Sequence, residues 1–315
     1  MNLLKVQDLW VKYRTRRGVI EALSGVNLSM EEGEVLGVVG ESGSGKSTLG
    51  FAIIRLLPKS TEVKGSVILN GIDLFSLPEE EIRRMRGKEV SMVFQDPYSS
   101  LNPVMKIGDH FAELMMEHGA ASSRGEAIEA AGKLLERLGV PRERLNDYPH
   151  QLSGGQRQRV AIGLALILKP KLVVADEITT ALDALVERQI IDLVKEVKRD
   201  YKTSMLFITH NMGLVAEVAD RVAVLYAGKL AEVGDMREVV SNPLHPYTEA
   251  LLRSVPRIGG SKAVKPIPGE PPDMRNPPPG CRFHPRCPLA TEKCKLEEPP
   301  LVEKGGRLVA CHLRG

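Results

Sequence analysis

The first 280 residues of this 315-residue chain contain no cysteine; all four fall in the last 35, at Cys281, Cys287, Cys294 and Cys311. In a secreted chain that clustering would suggest two disulfides, whereas in a cytoplasmic one it points to a metal or iron–sulfur centre. No signal peptide is expected from the start either: Met1-Asn2-Leu3-Leu4-Lys5-Val6 has no basic region followed by a long apolar run. Nowhere do about 18 apolar residues run together, so no segment is expected to span a bilayer. A net charge of +3 is too small to argue for nucleic acid as the main partner. What remains is an ordinary globular composition, 43% hydrophobic and 26% charged, long enough for one large domain with an appendage or for two domains.

The organising stretch is Gly40-Glu41-Ser42-Gly43-Ser44-Gly45-Lys46-Ser47-Thr48, which fits the pattern G-x-x-x-x-G-K-[ST]. The apolar, β-branched run Val35–Val39 before it reads as a buried strand. The stretch Thr48–Leu57 after it reads as a helix closed by Pro58. Gly40, Gly43 and Gly45 let the backbone wrap closely, so that N–H groups and a helix N-terminus face phosphate oxygens. Ser42 and Thr48 complete the loop. Lys46 supplies a charge for the β- and γ-phosphates, and the Ser47 hydroxyl is placed for Mg²⁺. A plain glycine turn is the competing reading, and the strand–loop–helix context argues against it. The chain is expected to bind a nucleoside triphosphate.

In chain order, residues 3–11 and 20–30 alternate apolar and polar and read as antiparallel strands. Tyr13 is either an ordinary strand residue or a ring face for a nucleobase. Asn70-Gly71 predicts a hairpin turn. Glu79–Arg86 reads as a short charged helix and Val90–Phe94 as a strand ending at Gln95. Two prolines mark 96–103 as a loop. Residues 107–138 change to helical periodicity and suggest a helical subdomain inserted between strands. The segment Ser153-Gly154-Gly155 reads as a loop opening a helix from Gln156, which makes a second anion-receiving helix start. Leu172–Glu177 is an apolar strand ending in two acids. Beside a phosphate loop, Asp176 would hold Mg²⁺ through water and Glu177 would polarise the attacking water. Asp183 precedes a long amphipathic helix, and His210 ends a buried strand from Met205. Residues 223–234 read as a closing hairpin.

Taken together, residues 1 to about 255 resemble the nucleotide-binding subunit of an ATP-binding cassette transporter. The residues that carry the resemblance are the phosphate loop, Gln95, Leu152-Ser153-Gly154-Gly155-Gln156, the acidic strand end at 172–177, Ala181-Leu182-Asp183 and His210. Small GTPases, kinases and helicases share only the phosphate loop. The runs at 95–103, 245–252 (His245-Pro246-Tyr247-Thr248) and 280–288 narrow the likeness to the oligopeptide/dipeptide importer ATPases. One departure is Ile178, where the family usually has proline.

The resemblance implies an α/β fold: a P-loop NTPase core, an antiparallel β subdomain and an inserted α-helical subdomain at about 96–160. The cassette would span 1–255, a Pro/Gly-rich linker 256–280 and a four-cysteine lobe 281–315. It implies ATP and Mg²⁺ as cofactors, with Ser47, Gln95 and Asp176 around the metal. Glu177, His210 and Gln95 are expected to serve hydrolysis, and Tyr13 the base. Ser153, Gly154, Gly155, Gln156 and Asp183 would complete the ATP site of a second cassette, so that ATP glues two cassettes together and hydrolysis releases them. Expected partners are a sister ATPase, two permeases and an extracytoplasmic solute-binding protein, at the cytoplasmic face of a membrane. The solute would be a peptide, an oligosaccharide or a metal chelate. A soluble repair or translation ATPase is disfavoured, for lack of a long coiled-coil insertion or a second cassette.

The tail spacing C-x₅-C-x₆-C-x₁₆-C fits neither a zinc ribbon nor the common ferredoxin patterns. Four thiolates still suit a [4Fe–4S] cluster, which tails of this family are reported to bind in some members. Zinc, with His284 or His312 as added ligands, and free thiols are the alternatives.

Overall fold

The computed structural model describes residues 2–180, 182–201, 203–255 and 267–315; Ala181 and linker residues 256–266 lie outside the described residues. The elements run β1 (Asn2–Thr15), β2 (Gly18–Glu31), β3 (Val35–Val39), α1 (Lys46–Ile53), β4 (Glu62–Leu69), β5 (Ile72–Asp73), α2 (Glu79–Met85), β6 (Val90–Val93) and α3 (Pro97–Ser100). Helices α4 (Ile107–Glu117), α5 (Arg124–Arg137) and α6 (Gly154–Leu166) follow, then β7 (Leu172–Asp176), α7 (Ala184–Tyr201), β8 (Ser204–Thr209), α8 (Met212–Val218), β9 (Arg221–Tyr226) and β10 (Lys229–Asp235). The chain closes with α9 (Met236–Ser241), α10 (Pro246–Arg253), α11 (Glu292–Leu296), β11 (Val302–Lys304) and β12 (Arg307–Val309). It divides into two compact units, residues 1–76 with 207–315, and residues 77–206.

The first unit holds two sheets. One is antiparallel, in the order β2-β1-β4-β5. The Asn70-Gly71 turn that joins β4 to β5 has both residues at positive φ, 50° and 82°, the conformation an Asn-Gly hairpin supplies without strain. The other sheet runs β11-β12-β10-β9-β3, with β3 parallel to β9. Every residue of β3 is buried, as a parallel strand covered on both faces requires.

In the second unit β6 and β7 pair in parallel, Val90 opposite Leu172 through Val93 opposite Ala175. Helices α4 and α5 bury Phe111, Met115, Ala127 and Leu135 between them and α6. Two local expectations are corrected. Residues 97–100 form one helical turn within the expected loop, with proline at the first position, where its missing N–H costs nothing. Gly154 and Gly155 lie inside α6 rather than before it, because Ser153 takes the N-cap and starts the helix two residues early.

The tail joins the cassette sheet: β12 pairs with β10, placing Val309 opposite Glu232 and Leu308 opposite Val233. Beneath it, the Glu232 side chain is fully buried and accepts from the Leu244 and His245 N–H groups and from Arg307. Phe283 packs edge-on to Tyr226 with ring centroids 5.1 Å apart, and Tyr247 lies 4.5 Å from Tyr226. Arg282 donates to the Ala227 carbonyl and to Glu21 and Ser24. Burial works against the Glu21 charge, but hydrogen bonds from Ser24, Lys12 and Arg282 hold its pKa down at about 2.

His245 caps α10 by accepting the Tyr247 N–H on Nδ1 at 3.0 Å. Burial drives its pKa down to about 4, from 6.5 in the unfolded chain. The folded state therefore holds a neutral ring, and below pH 6.5 the unfolded chain binds the extra proton. We predict that stability is full above pH 6.5 and falls by about 2 kcal/mol between pH 7 and pH 5 through this group. Thermal melts across that range should show a shallower pH dependence in His245→Asn, which keeps a capping oxygen; an unchanged slope would contradict the assignment.

Candidate functional site

In the first unit, β3 delivers the chain into the loop Gly40–Gly45. A side chain at Gly40 would place its Cβ 2.1 Å from the Leu225 carbonyl oxygen, so the loop can seat against β9 only with glycine there. Gly45 has φ 103°, and a Cβ there would lie 2.5 Å from the Ala22 carbonyl. It holds the N-cap of α1 without any side-chain cap, the arrangement by which helix starts receive phosphate. Lys46 is only 4% exposed, and its ammonium donates to the Gly40 and Glu41 carbonyls at 2.8 and 3.0 Å. Ser44 closes the turn by donating its N–H to Glu41 and accepting the Gly228 N–H on its carbonyl. Its hydroxyl is buried without a hydrogen-bond partner among the described residues. Tyr13 is half-buried, and its hydroxyl lies 3.3 Å from Thr48 Oγ1. His210 follows β8 and is exposed.

The second unit holds the acids and the Ser-Gly-Gly helix. Asp176 ends β7 at 3% exposure. Glu177, the next residue, has φ 46°, a region that costs a non-glycine residue about 1–3 kcal/mol and that concentrates at functional sites. Its carboxylate accepts from Gln95 Nε2 at 3.2 Å and from Thr180 Oγ1 at 3.0 Å. The turn is closed by the Thr180 N–H on the Glu177 carbonyl. Ile178 is buried. At the head of α6, Ser153 and Gln156 form a reciprocal capping box, with 3.3 and 3.1 Å bonds. Buried Arg157 ties the approach to that helix down through the Pro149 and Leu152 carbonyls. Asp183 accepts the Leu185 and Val186 N–H groups and so caps α7.

The structure thus brings Tyr13 to Thr48 and Lys46 to its own loop carbonyls in one unit, and Gln95 to Glu177 in the other. Sequence reasoning missed Ser44, Glu41, Tyr247 and Thr180. Ser44 and Glu41 had a signal as variable positions of the loop motif, and Tyr247 as a member of the 245–252 run, but their roles depend on residues some 200 positions away. The Glu41 N–H, for example, donates to the Tyr247 hydroxyl at 2.8 Å.

The four tail cysteines are free thiols, with Cys294 buried and the others half-buried. They lie near enough to influence one another electrostatically. Burial pushes the Cys281 thiol up to about 11, against a hydrogen bond from the Phe283 N–H. The Leu289 N–H serves Cys287 in the same way, and Thr291 Oγ1 lies 3.4 Å from Cys294 Sγ. His284 and His312 each spend a ring nitrogen on a backbone carbonyl, of Cys281 and Glu297. Among the described residues no group of three or more His, Cys, Asp or Glu is arranged to hold a metal ion.

A buried lysine in a glycine loop between a parallel strand and a helix, an acid-ended strand and a capped Ser-Gly-Gly-Gln helix define the class: a P-loop ATPase of the ATP-binding cassette type. The ABC transporter family profile matches residues 23–180, and the profile for the oligopeptide/dipeptide transporter C-terminal region matches residues 231–294. The chain is 45% identical over 312 residues to the oligopeptide transport ATP-binding protein OppD of Salmonella typhimurium, covering 98% of this chain and 93% of that protein. It is 45% identical over 315 residues to the dipeptide transport ATP-binding protein DppD of Caldanaerobacter subterraneus, covering 99% and 97%. Among solved structures, an ATP-binding cassette in a dimeric post-hydrolysis state bound to ADP and phosphate matches with TM-score 0.66 and 29% identity, over 74% of this chain and 99% of that one. The chain belongs to the family of oligopeptide and dipeptide ABC transporter ATP-binding proteins. It is an ATP-hydrolysing transporter subunit, and among its described residues no helix is long and apolar enough to cross a membrane.

The positive φ at Glu177 makes a checkable statement about strain. We predict that Glu177→Gly leaves the melting temperature unchanged or raises it, since relief of the backbone offsets the two lost hydrogen bonds. A loss of more than about 1 kcal/mol in chemical denaturation would show that the Gln95 and Thr180 contacts outweigh the strain.

Proposed function

We propose that this chain couples ATP hydrolysis to the import of di- or oligopeptides. The observation that carries the reading is likeness to peptide-transport ATPases along almost the whole chain, cysteine tail included. Lys46, the backbone of Gly40, Ser42, Gly43 and Gly45, and the α1 start would hold the triphosphate, with Tyr13 for the base; of the residues that the family likeness assigns to Mg²⁺, Ser47 belongs to the first unit and Asp176 and Gln95 to the second. When bound, Mg²⁺ would supply positive charge against the charge building on the phosphates. Glu177, steadied by Gln95 and Thr180, orients the attacking water, and His210 approaches the γ-phosphate. The Ser153 hydroxyl accepts the Gln156 N–H and so keeps its own proton to donate to a partner's γ-phosphate, beside the N–H groups of Gly154 and Gly155. Asp183 holds α7 at that same interface.

By this reading the chain pairs with a sister ATPase at the cytoplasmic face of a membrane, under two permeases served by an extracytoplasmic solute-binding protein. Glu177→Gln should lower ATPase turnover at least a hundredfold while ATP binding persists, which steady-state assays and nucleotide titration can check. Purification of that variant with ATP from its host in mild detergent should carry along two multi-span permeases and a second ATPase. Recovery with ribosomes or DNA would overturn the importer reading.

For the tail we propose a [4Fe–4S] cluster on Cys281, Cys287, Cys294 and Cys311. Support comes from the four cysteines of the last 35 residues, N–H groups serving two of the sulfurs, and the engagement of both candidate histidines elsewhere; among the described residues the thiols are not yet gathered as a ligand set, so the lobe would close around the cluster on binding it. The cluster would tie the lobe together. Anaerobically purified protein should contain about four iron and four sulfide per chain, lost in Cys287→Ser. One equivalent of zinc without a visible absorption band would sink the cluster.

A further inference from the structure

Glu41, the second residue of the phosphate loop, has every polar group engaged, and two of its partners come from far along the chain. Its N–H donates to the Tyr247 hydroxyl at 2.8 Å. Its carbonyl accepts from the Lys46 ammonium at 3.0 Å and from the Ser44 N–H at 3.2 Å. Its carboxylate is gripped by both terminal nitrogens of Arg286, at 2.5 and 3.0 Å. The Arg286 side chain is 4% exposed and also donates through Nε to the Pro268 carbonyl at 2.9 Å and through Nη1 to the Tyr226 hydroxyl at 3.3 Å. Its guanidinium lies 5.9 Å over the Tyr226 ring.

The fork thus fixes Glu41 in two dimensions, as a bidentate arginine–carboxylate pair does, and a half-buried pair is screened far less than a surface one. Because the Glu41 carbonyl helps to seat Lys46, a shift of Glu41 moves the ammonium that must meet the triphosphate. We propose that Arg286 is a positioning residue for ATP binding: through Glu41 and Lys46, the cysteine lobe sets the shape of the phosphate loop. The inference rests on the assignment of Lys46 to the triphosphate and goes beyond it by giving the lobe a part in the nucleotide site. Arg286 itself touches no substrate. A tail docked only for stability would need no contact with the loop, yet its most buried guanidinium is spent there, one residue before Cys287.

The test uses the full chain, with equilibrium titration of a fluorescent ATP analogue, steady-state ATPase kinetics and thermal melts. Arg286→Gln and Glu41→Gln should each weaken nucleotide binding and raise KM about tenfold, equivalent to 1.4 kcal/mol, with kcat within about twofold. The double variant should be no worse than either single one, since both remove one interaction. Arg286→Lys, which keeps the charge and loses the fork, should fall between. Arg314→Gln is the control: it breaks a lobe anchor to Glu249 at 3.0 Å that does not involve the loop, so KM should stay at the wild-type value. Unchanged nucleotide affinity in Arg286→Gln overturns the proposal, as does a KM that rises equally in Arg314→Gln or additively in the double variant. A wild-type chain that binds nucleotide independently of Lys46 would instead remove the assignment beneath it.

Discussion

A lysine at 4% exposure can be tolerated only if the protons of its ammonium are satisfied, and the phosphate loop is shaped around that requirement. Lys46 closes on the carbonyls of Gly40 and Glu41, which turns the loop back on itself. Those two carbonyls can be where they are only because Gly40 lies against the Leu225 carbonyl and Tyr247 and Arg286 hold Glu41. Strand β3 aims the loop, and β9, α10 and the tail hold its far side.

Three ion pairs of the first unit share one pattern, an acid on the cassette and a buried arginine on the tail. Arg282 meets Glu21, Arg286 meets Glu41 and Arg307 meets Glu232. Buried ion pairs are poor evidence for net stability, because desolvation cancels much of their attraction. Removing one partner is costly, however, since it strands a charge. Three such pairs therefore specify a single docking of the tail more than they strengthen it. The Tyr226–Tyr247–Phe283 cluster supplies the apolar burial that makes the docking favourable.

In the second unit the constraint is backbone conformation. Glu177 turns sharply off β7 at positive φ, and its carboxylate is steadied by Gln95 and Thr180 rather than left to roam. Ser153 and Gln156 do for α6 what Asp183 does for α7: they fix where a helix begins, hence where its N–H groups point. Catalysis by positioning needs rigidity of this kind more than it needs unusual acidity.

Signals confined to a few neighbouring residues were legible without coordinates. The phosphate loop, the Asn70-Gly71 turn, the helical periodicity of 107–138, the acid-ended β7 and the closing hairpin each carry their own pattern, because dihedral preference and side-chain period are local properties. The early start of α6 and the helical turn at Pro97 were missed, since glycine and proline near a helix start read equally well as loop. Strands β11 and β12, three residues each, show no period at all and exist only through pairing with one another and with β10. The sequence by itself determined the cassette class, the glycine loop that ends in Lys46 and the acid-ended strand β7. Only the tertiary structure decided that the tail extends a cassette sheet and that Arg286 reaches Glu41 across 245 positions, because long-range pairing depends on the folded path of the whole chain and leaves no local mark.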